Sequence, residues 1–282
     1  MSNPDLPLTP AIDTLRPPPP ARRWSKARIL GVVLLSFWIA AGLSMIYYLF
    51  SAFTWAFYDR YAMKFVNGIW VTFQIVGISL VLGALLSIPV ALGRLSKNKL
   101  IGAMAFGYSY LMRGTPLLAQ TYLVYYGLGS FHQELQSIGL WWFFREAFNC
   151  VILIFTLNTA AYQAEILRGA IENVSKHQTE AGDALGLSKM VIFWKIILPQ
   201  ALITALRPYG NEIILMIKGS AIASLVTVFD LMGETRRAYS RSFDFQTYVW
   251  AAIMYLSVVE TLRRLWNRFE AYLTRHLERD SD

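Results

Sequence analysis

Long apolar segments constrain this chain more than any other feature of its sequence. A helix needs about 20 apolar residues to cross a hydrocarbon core of about 30 Å. Six segments of roughly this length are present, at about residues 29–53, 65–92, 100–128, 147–166, 206–229 and 248–266. Only 16% of the residues are charged, whereas a soluble domain has about 25%. We therefore expect an all-α, polytopic integral membrane protein with about six transmembrane helices.

The polar stretches between these segments divide the chain into regions. The first apolar segment is longer than the 7–15 apolar residues of a signal peptide, so we expect it to be retained as a helix. We expect a disordered, proline-rich, basic tail at 1–27, an N-terminal helix and external loop at 28–64, a membrane core at 65–268 with a polar loop at 168–199, and a tail at 269–282. Basic flanks at both ends favour cytoplasmic termini.

The net charge of +8 does not indicate a nucleic-acid partner. The basic residues cluster at the ends of apolar segments, where positive charge sets membrane orientation. One loop is an exception, because six spans place it outside although it carries Arg236, Arg237 and Arg241. The single cysteine, Cys150, excludes a disulfide within the chain.

Two local patterns predict how the spans bend and pack. Ser79, Gly83, Ser87 and Ala91 recur at a spacing of four, which favours close approach of another helix. The third segment is interrupted by Arg113, Gly114, Thr115 and Pro116. Because proline lacks a backbone donor and disfavours helix in the residue before it, we expect a helix break there.

The loop at 168–199 is the most polar internal stretch. Ser175 and Gln178 have the spacing of a capping box, Ser188 is suited to open a second short helix, and Pro199 closes that segment. The sequence predicts two short helices that are joined near Gly186 at the cytoplasmic surface.

The same loop contains a spaced motif, whose members are Glu180, Ala181, Gly186, Ile196, Leu198 and Pro199. This motif resembles the cytoplasmic signature of permease subunits in ATP-binding-cassette (ABC) importers, in which the residue at Gly182 is alanine. The resemblance implies the transmembrane fold of a type I ABC importer and a loop that couples it to the ATPase. It assigns Glu180 as the polar anchor and Gly186 as the turn.

Further segments resemble the polar-amino-acid branch of that family, at 113–118, 156–162, 165–166 and 211–212. The likeness is to permeases for histidine, lysine, arginine and ornithine, and for opines, and it covers about residues 65–265. It implies amino acid import across the bacterial inner membrane. The implied partners are ABC ATPase subunits, a second homologous permease or a copy of this chain, a periplasmic solute-binding protein and the lipid bilayer.

The chain is not expected to be an enzyme or to bind a cofactor. It contains no Gly-x-x-x-x-Gly-Lys-[Ser/Thr] loop for a nucleotide, so ATP would bind to partner subunits. Its histidines, His132, His177 and His276, lie in different segments and predict no metal site. A secondary amino acid transporter that works without an ATPase remains the alternative at this point, and a membrane enzyme or receptor anchor is a weaker one.

Polar residues within the spans are candidates for the solute pathway. Asn211, Leu215 and Lys218 share one helical face, and the Lys218 ammonium would suit a solute carboxylate. Glu165 and Glu212 would suit an amino or guanidinium group, and Asn158 and Tyr162 are weaker candidates. A structural ion pair for Lys218, and interhelical contacts for Asn158 and Tyr162, are equally compatible with the sequence.

Overall fold

A computed structural model describes residues 25–52 and 54–278. The predicted tail up to residue 24, and residues 279–282, lie outside this part of the chain. The longer helices are α1 (Lys26–Ala52), α2 (Trp55–Arg94), α3 (Lys99–Gly114), α7 (Ala147–Glu172), α10 (Leu198–Gly219), α11 (Leu231–Ser242) and α12 (Gln246–Glu278). The shorter helices are α4 (Leu117–Tyr122), α5 (His132–Ser137), α6 (Trp141–Phe144), α8 (Lys176–Ala184) and α9 (Lys189–Ile192).

The predicted all-α class is confirmed, since no strand occurs in the described ranges. Four helical stretches there are long and apolar enough to cross a membrane, namely α1, α2, α7 and the continuous helix from Lys189 to Val226. The count of six spans therefore stays a prediction, which also requires α3 with α4, and α12. Helix α1 forms a compact unit of its own, and none of its residues is buried.

Close packing of α2 against α7 organises the second unit, which holds the remaining helices. Ser79, Ser87 and Ala91 are at most 1% exposed. A Cβ atom on Gly83 would lie only 2.5 Å from Thr159 Cγ2 and 3.4 Å from the backbone nitrogen of Ala160. The small residues therefore let the two helices approach closely, and the predicted packing strip is confirmed.

An apolar cluster extends this interface to α10 and to the 3₁₀ helix Ser220–Val226. Phe155 of α7 is fully buried at its centre, together with Ile75 of α2. Ile217 and Val226 enter the cluster from the other side. The end of α10 is thereby fixed against the α2–α7 pair.

Helix α11 crosses α2 far from the polar loop that follows α7. A Cβ atom on Gly68 would lie 2.9 Å from the Cα atom of Leu231, and Asp230 caps α11 by accepting a 2.8 Å hydrogen bond from the Gly233 amide. Burial raises the pKa of the Asp230 carboxyl to about 6. From Gly68 to Arg94, α2 extends about 39 Å at 1.5 Å per residue, which exceeds the hydrocarbon thickness of about 30 Å.

The helix is interrupted between Gly114 and Leu117, where the sequence predicts a break. Helix α3 ends at Gly114, Thr115 is extended (φ −114°, ψ 146°), and α4 begins at Leu117 after Pro116. The extended residue directly precedes the proline, as the steric clash with the proline ring requires.

The Gly83 contact makes a direct prediction about stability. We expect Gly83→Ala to lower the free energy of unfolding by about 1–3 kcal/mol, because the added methyl group overlaps α7. The matched control is Gly77→Ala, since a Cβ on Gly77 of the same helix meets nothing within 4 Å. Thermal unfolding of the purified subunit in detergent measures both. Equal effects of the two substitutions would contradict the close approach at Gly83.

Candidate functional site

The polar loop after α7 contains two short helical segments, but the prediction that Pro199 closes the second one is wrong, because that helix continues without a gap into α10. Helix α8 ends at Ala184, Gly186 adopts a left-handed conformation with φ +71°, and Ser188 caps α9 by accepting a hydrogen bond from the Val191 amide. Because residues with a Cβ rarely adopt a positive φ, glycine suits this turn. The predicted junction near Gly186 is confirmed.

Gly182 lies at the contact between α8 and α9. It is the one buried residue of α8, and a Cβ atom placed on it would lie 2.7 Å from Ile192 Cγ1. Ile192 is itself 1% exposed. The glycine that departs from the alanine of the family signature therefore accommodates the Ile192 side chain.

The outer surface of the loop is both apolar and charged. Leu185, Met190 and Trp194 are 77%, 67% and 57% exposed. Glu180 is also exposed, and its carboxylate lies 3.1 Å from Nδ1 of His177. Large exposed apolar side chains next to charged ones are typical of a surface that binds a partner protein.

The end of the signature coincides with a change of helix type. Phe193–Ile197 forms a π-helix, and α10 begins at Leu198 with Pro199 in its first turn. Proline cannot donate to the carbonyl four residues earlier, and π-helical turns are frequent at functional sites. The π-helix thus connects the polar loop to α10, which begins with Leu198 and Pro199.

Asn158 supports the break between α3 and α4. Pro116 has no N–H to donate to the carbonyl of Met112, four residues earlier. Asn158 Nδ2 and Gln120 Nε2 each donate to that carbonyl, both at 2.9 Å. Asn158 Nδ2 also lies 3.0 Å from Gln120 Oε1. In a membrane a freed carbonyl needs such partners. Sequence reasoning missed Gln120, whose position four residues after Pro116 is the available signal.

The α10 face predicted for the pathway is exposed. Asn211, Leu215 and Lys218 all lie on the outside of the unit, and Leu215 is 49% exposed. Within residues 54–278, Lys218 lies in no ion pair. Asn211 lines a groove of about 530 Å³ between α10 and α12, next to the ion pair of Arg207 and Glu270.

Glu212 points in a different direction from that face. It is 5% exposed, and Thr159 Oγ1 of α7 donates to its Oε1 atom at 2.7 Å. Gln163 in turn donates to Thr159 at 3.1 Å. The Glu212 side chain therefore points towards α7 and away from the exposed face of α10.

Glu165 and Tyr162 lie together near the end of α7. The Glu165 carboxylate lies within 4 Å of three arginines, with nitrogen–oxygen distances of 2.8 Å to Arg94, 2.9 Å to Arg168 and 3.6 Å to Arg113. The Arg113 guanidinium is 5.3 Å from the centre of the Tyr162 ring. Sequence reasoning missed Arg94 as a partner because only the fold brings α2 to α7. It also missed Arg168, although the i, i+3 spacing from Glu165 was an available signal.

The Asn158 contacts predict a role in stability. We expect Asn158→Leu to lower the free energy of unfolding by about 1–2 kcal/mol, because it leaves the buried Gln120 amide oxygen without its donor. Asn211→Leu makes the same chemical change on the exposed face and should leave stability unchanged. Thermal unfolding in detergent compares them, and an unchanged melting temperature for Asn158→Leu would contradict the support of the break.

Residues 79–270 match the protein family described as "Binding-protein-dependent transport system inner membrane component". The nopaline transport system permease protein NocM of Agrobacterium fabrum is 40% identical over 215 residues, which are 76% of this chain and 89% of that protein. The histidine/lysine/arginine/ornithine transport system permease protein HisM of Salmonella typhimurium is 37% identical over 212 residues, 75% of this chain and 90% of that protein.

A solved structure also matches. The crystal structure of an amino acid ABC transporter with histidines has a TM-score of 0.70 and 30% identity, and the match covers 78% of this chain and 99% of that chain. These similarities favour the importer over a secondary transporter. The chain belongs to the family of binding-protein-dependent inner-membrane transport components and is the transmembrane permease of an ABC importer.

Proposed function

We propose that this permease moves basic amino acids or opines across the bacterial inner membrane. Transport is driven by ATP hydrolysis on separate subunits that bind the loop at 180–199. The exposed surface of that loop, next to the end of α7, carries the proposal. The solute class is supported by the names of the relatives, which are permeases of nopaline, octopine and histidine/lysine/arginine/ornithine transport systems.

The structure of the coupling loop would allow movement of α8 to reach α10. Helix α8 follows α7 and precedes α10 in the chain, and the contact of Gly182 with Ile192 joins it to α9. We assign Glu180 as the polar anchor to the ATPase, beside Ala181, and Gly186 as the turn that presents Leu185. Movement of α8 would pass through α9, Leu198 and Pro199 into α10, which carries the candidate solute face.

This mechanism requires the loop to be cytosolic. The ends of α2 and α7 then lie inside, and α11 lies on the external side, since about 39 Å of α2 separate Gly68 from Arg94. With α3 and α4 forming one span and α12 another, six spans leave both termini in the cytoplasm. The basic residues of α12, Arg263, Arg264, Arg268 and Arg275, agree with that orientation.

The solute pathway is proposed along the exposed face of α10. A charged side chain within a span is costly and usually faces a cavity or a partner, and Lys218 has no carboxylate partner in the second unit. Its ammonium would meet the solute carboxylate, and Asn211 would add an amide. The other four candidates contact neighbouring helices, namely Glu165, Glu212, Asn158 and Tyr162. That each of them also contacts the solute stays a separate prediction.

The remaining components follow from the family. An importer of this kind works with an ATPase and a solute-binding protein. We propose that ATP binds only to the ATPase subunits and that this chain holds no cofactor. A second permease, either a homologue or another copy of this chain, would complete the pathway opposite the α10 face.

The coupling loop is tested by Gly186→Ala in the assembled transporter. The left-handed conformation costs a residue with a Cβ about 1–2 kcal/mol, so we expect ATPase affinity and vanadate-sensitive uptake to fall about tenfold. Gly169→Ala is the control, because a Cβ there meets nothing within 4 Å and no positive φ is required. Normal ATPase binding and uptake by Gly186→Ala would refute this role of the turn.

The pathway is tested by Lys218→Met, with uptake of radiolabelled L-arginine, L-histidine, nopaline and octopine measured in proteoliposomes. A hydrogen bond to a charged group is worth about 1.5–3 kcal/mol, so we expect KM to rise about tenfold or more while ATPase binding is retained. Leu215→Met keeps the volume on the same face and should transport normally. Unchanged KM and rate in Lys218→Met would dismiss Lys218 from the pathway.

A further inference from the structure

Three helices meet at a single carboxylate. We define the Glu165 cluster as Glu165, Arg94, Arg113 and Arg168. Arg94 is the last residue of α2, Arg113 lies in the last turn of α3, and Glu165 and Arg168 lie in the last two turns of α7. Glu165 thus joins the ends of α2 and α3 to α7, two turns before α7 ends and the coupling loop begins.

The arginines are oriented by more than the carboxylate. The Arg94 guanidinium is 4.9 Å from the centre of the Phe106 ring of α3, and Arg113 lies over Tyr162 of α7. Arg168 binds Glu165 on one side and Glu172 on the other. Planar guanidinium groups that both stack and form ion pairs are held in defined orientations.

Apolar packing joins α2 to α7 beside this junction, where Ala91, Ala164 and Leu167 form a buried cluster, but open grooves border the arginines. One open groove of about 340 Å³ is lined by Arg94, Tyr110 and Glu165, and another of about 510 Å³ is lined by Tyr162, Arg168 and Pro208. The ion pairs therefore add to this packing, and they connect Arg94, Arg113 and Arg168 through one carboxylate.

The charge balance makes the link depend on Glu165. Three guanidinium groups surround one carboxylate, and Glu172 contacts only Arg168 among them. Without the Glu165 charge, Arg94, Arg113 and Arg168 would repel one another. The same arrangement leaves the carboxylate already compensated, which argues against its use for a cationic solute.

We propose that Glu165 is a positioning residue that makes the C-terminal ends of α2, α3 and α7 move as one body, so that displacement of the coupling loop reaches the α3–α4 break and the pathway. The inference rests on the proposed coupling of the loop to an ATPase. Arg113 directly precedes the break, and Asn158 of α7 binds the freed Met112 carbonyl there. The cluster is thus a second connection between the helix that leads into the loop and the bent span.

The test separates coupling from folding. The complete transporter, with its companion permease, ATPase and binding protein, is reconstituted in proteoliposomes, and uptake is measured with whichever of L-arginine, L-histidine, nopaline and octopine the wild type accumulates. We expect Glu165→Gln to retain ATP hydrolysis stimulated by the binding protein, while solute transported per ATP falls about tenfold, within the range of coupling mutations.

Glu172→Gln is the matched control. This substitution removes a carboxylate of α7 that binds the same Arg168. In the second unit, Glu172 forms no ion pair with α2 or α3. We expect its transport per ATP to equal that of the wild type. An equal loss in both variants would overturn the proposal, because Arg168 rather than the three-helix link would then be responsible.

Two further outcomes decide the matter. Transport per ATP unchanged in Glu165→Gln, or uptake and hydrolysis that fall in proportion with the melting temperature, would show a merely structural role and overturn the proposal. If Glu165→Gln does not assemble, Arg94→Lys keeps the charge but loses the planar contact, and it must show the same drop in transport per ATP. A wild-type complex without vanadate-sensitive uptake would instead refute the proposed function.

Discussion

The close contact of α2 with α7 is the constraint on which the rest of this unit depends. Helices in lipid gain little from hydrophobic burial, so they associate through close packing and internal polar contacts. Gly83 permits the approach, since any Cβ there would meet Thr159. The approach brings Arg94 to Glu165 at one end. It also presents Thr159 to Glu212 of α10.

Several polar side chains in the spans bind a backbone carbonyl or an oppositely charged group, and are therefore not free to bind solute. Pro116 frees the Met112 carbonyl, and Asn158 and Gln120 bind it. Glu165 is occupied by arginines, whereas Lys218 is exposed and has no carboxylate partner in the second unit. Because an uncompensated charge in a span needs a partner, Lys218 requires one beyond the ion pairs of residues 54–278.

Local signals in the sequence predicted local structure well. Pro116 predicted the break, and Gly186 and Ser188 predicted the turn and the start of α9. The Ser175 side chain makes no capping hydrogen bond to α8, and Pro199 does not end the second helix, so these two predictions were wrong. Contacts between distant segments were not predictable in this way. Neither the Arg94 and Arg113 partners of Glu165 nor the direction of Glu212 follows from helical period, because both depend on which helices become neighbours. The motif at Glu180 led to the proposal of a coupling loop, but it did not predict the fit of Gly182 to Ile192.

The side of the membrane on which the coupling loop lies tests the account most directly. Cys150 is fully buried, and Cys150→Ser removes the chain's one thiol. In that background we would place single cysteines by Glu180→Cys on α8 and Ser240→Cys on α11, and label them with a thiol reagent that cannot cross the membrane. We expect position 180 to react only in inside-out vesicles and position 240 only in intact, outer-membrane-permeabilised cells. Reaction of position 180 from the periplasmic side alone would contradict the account.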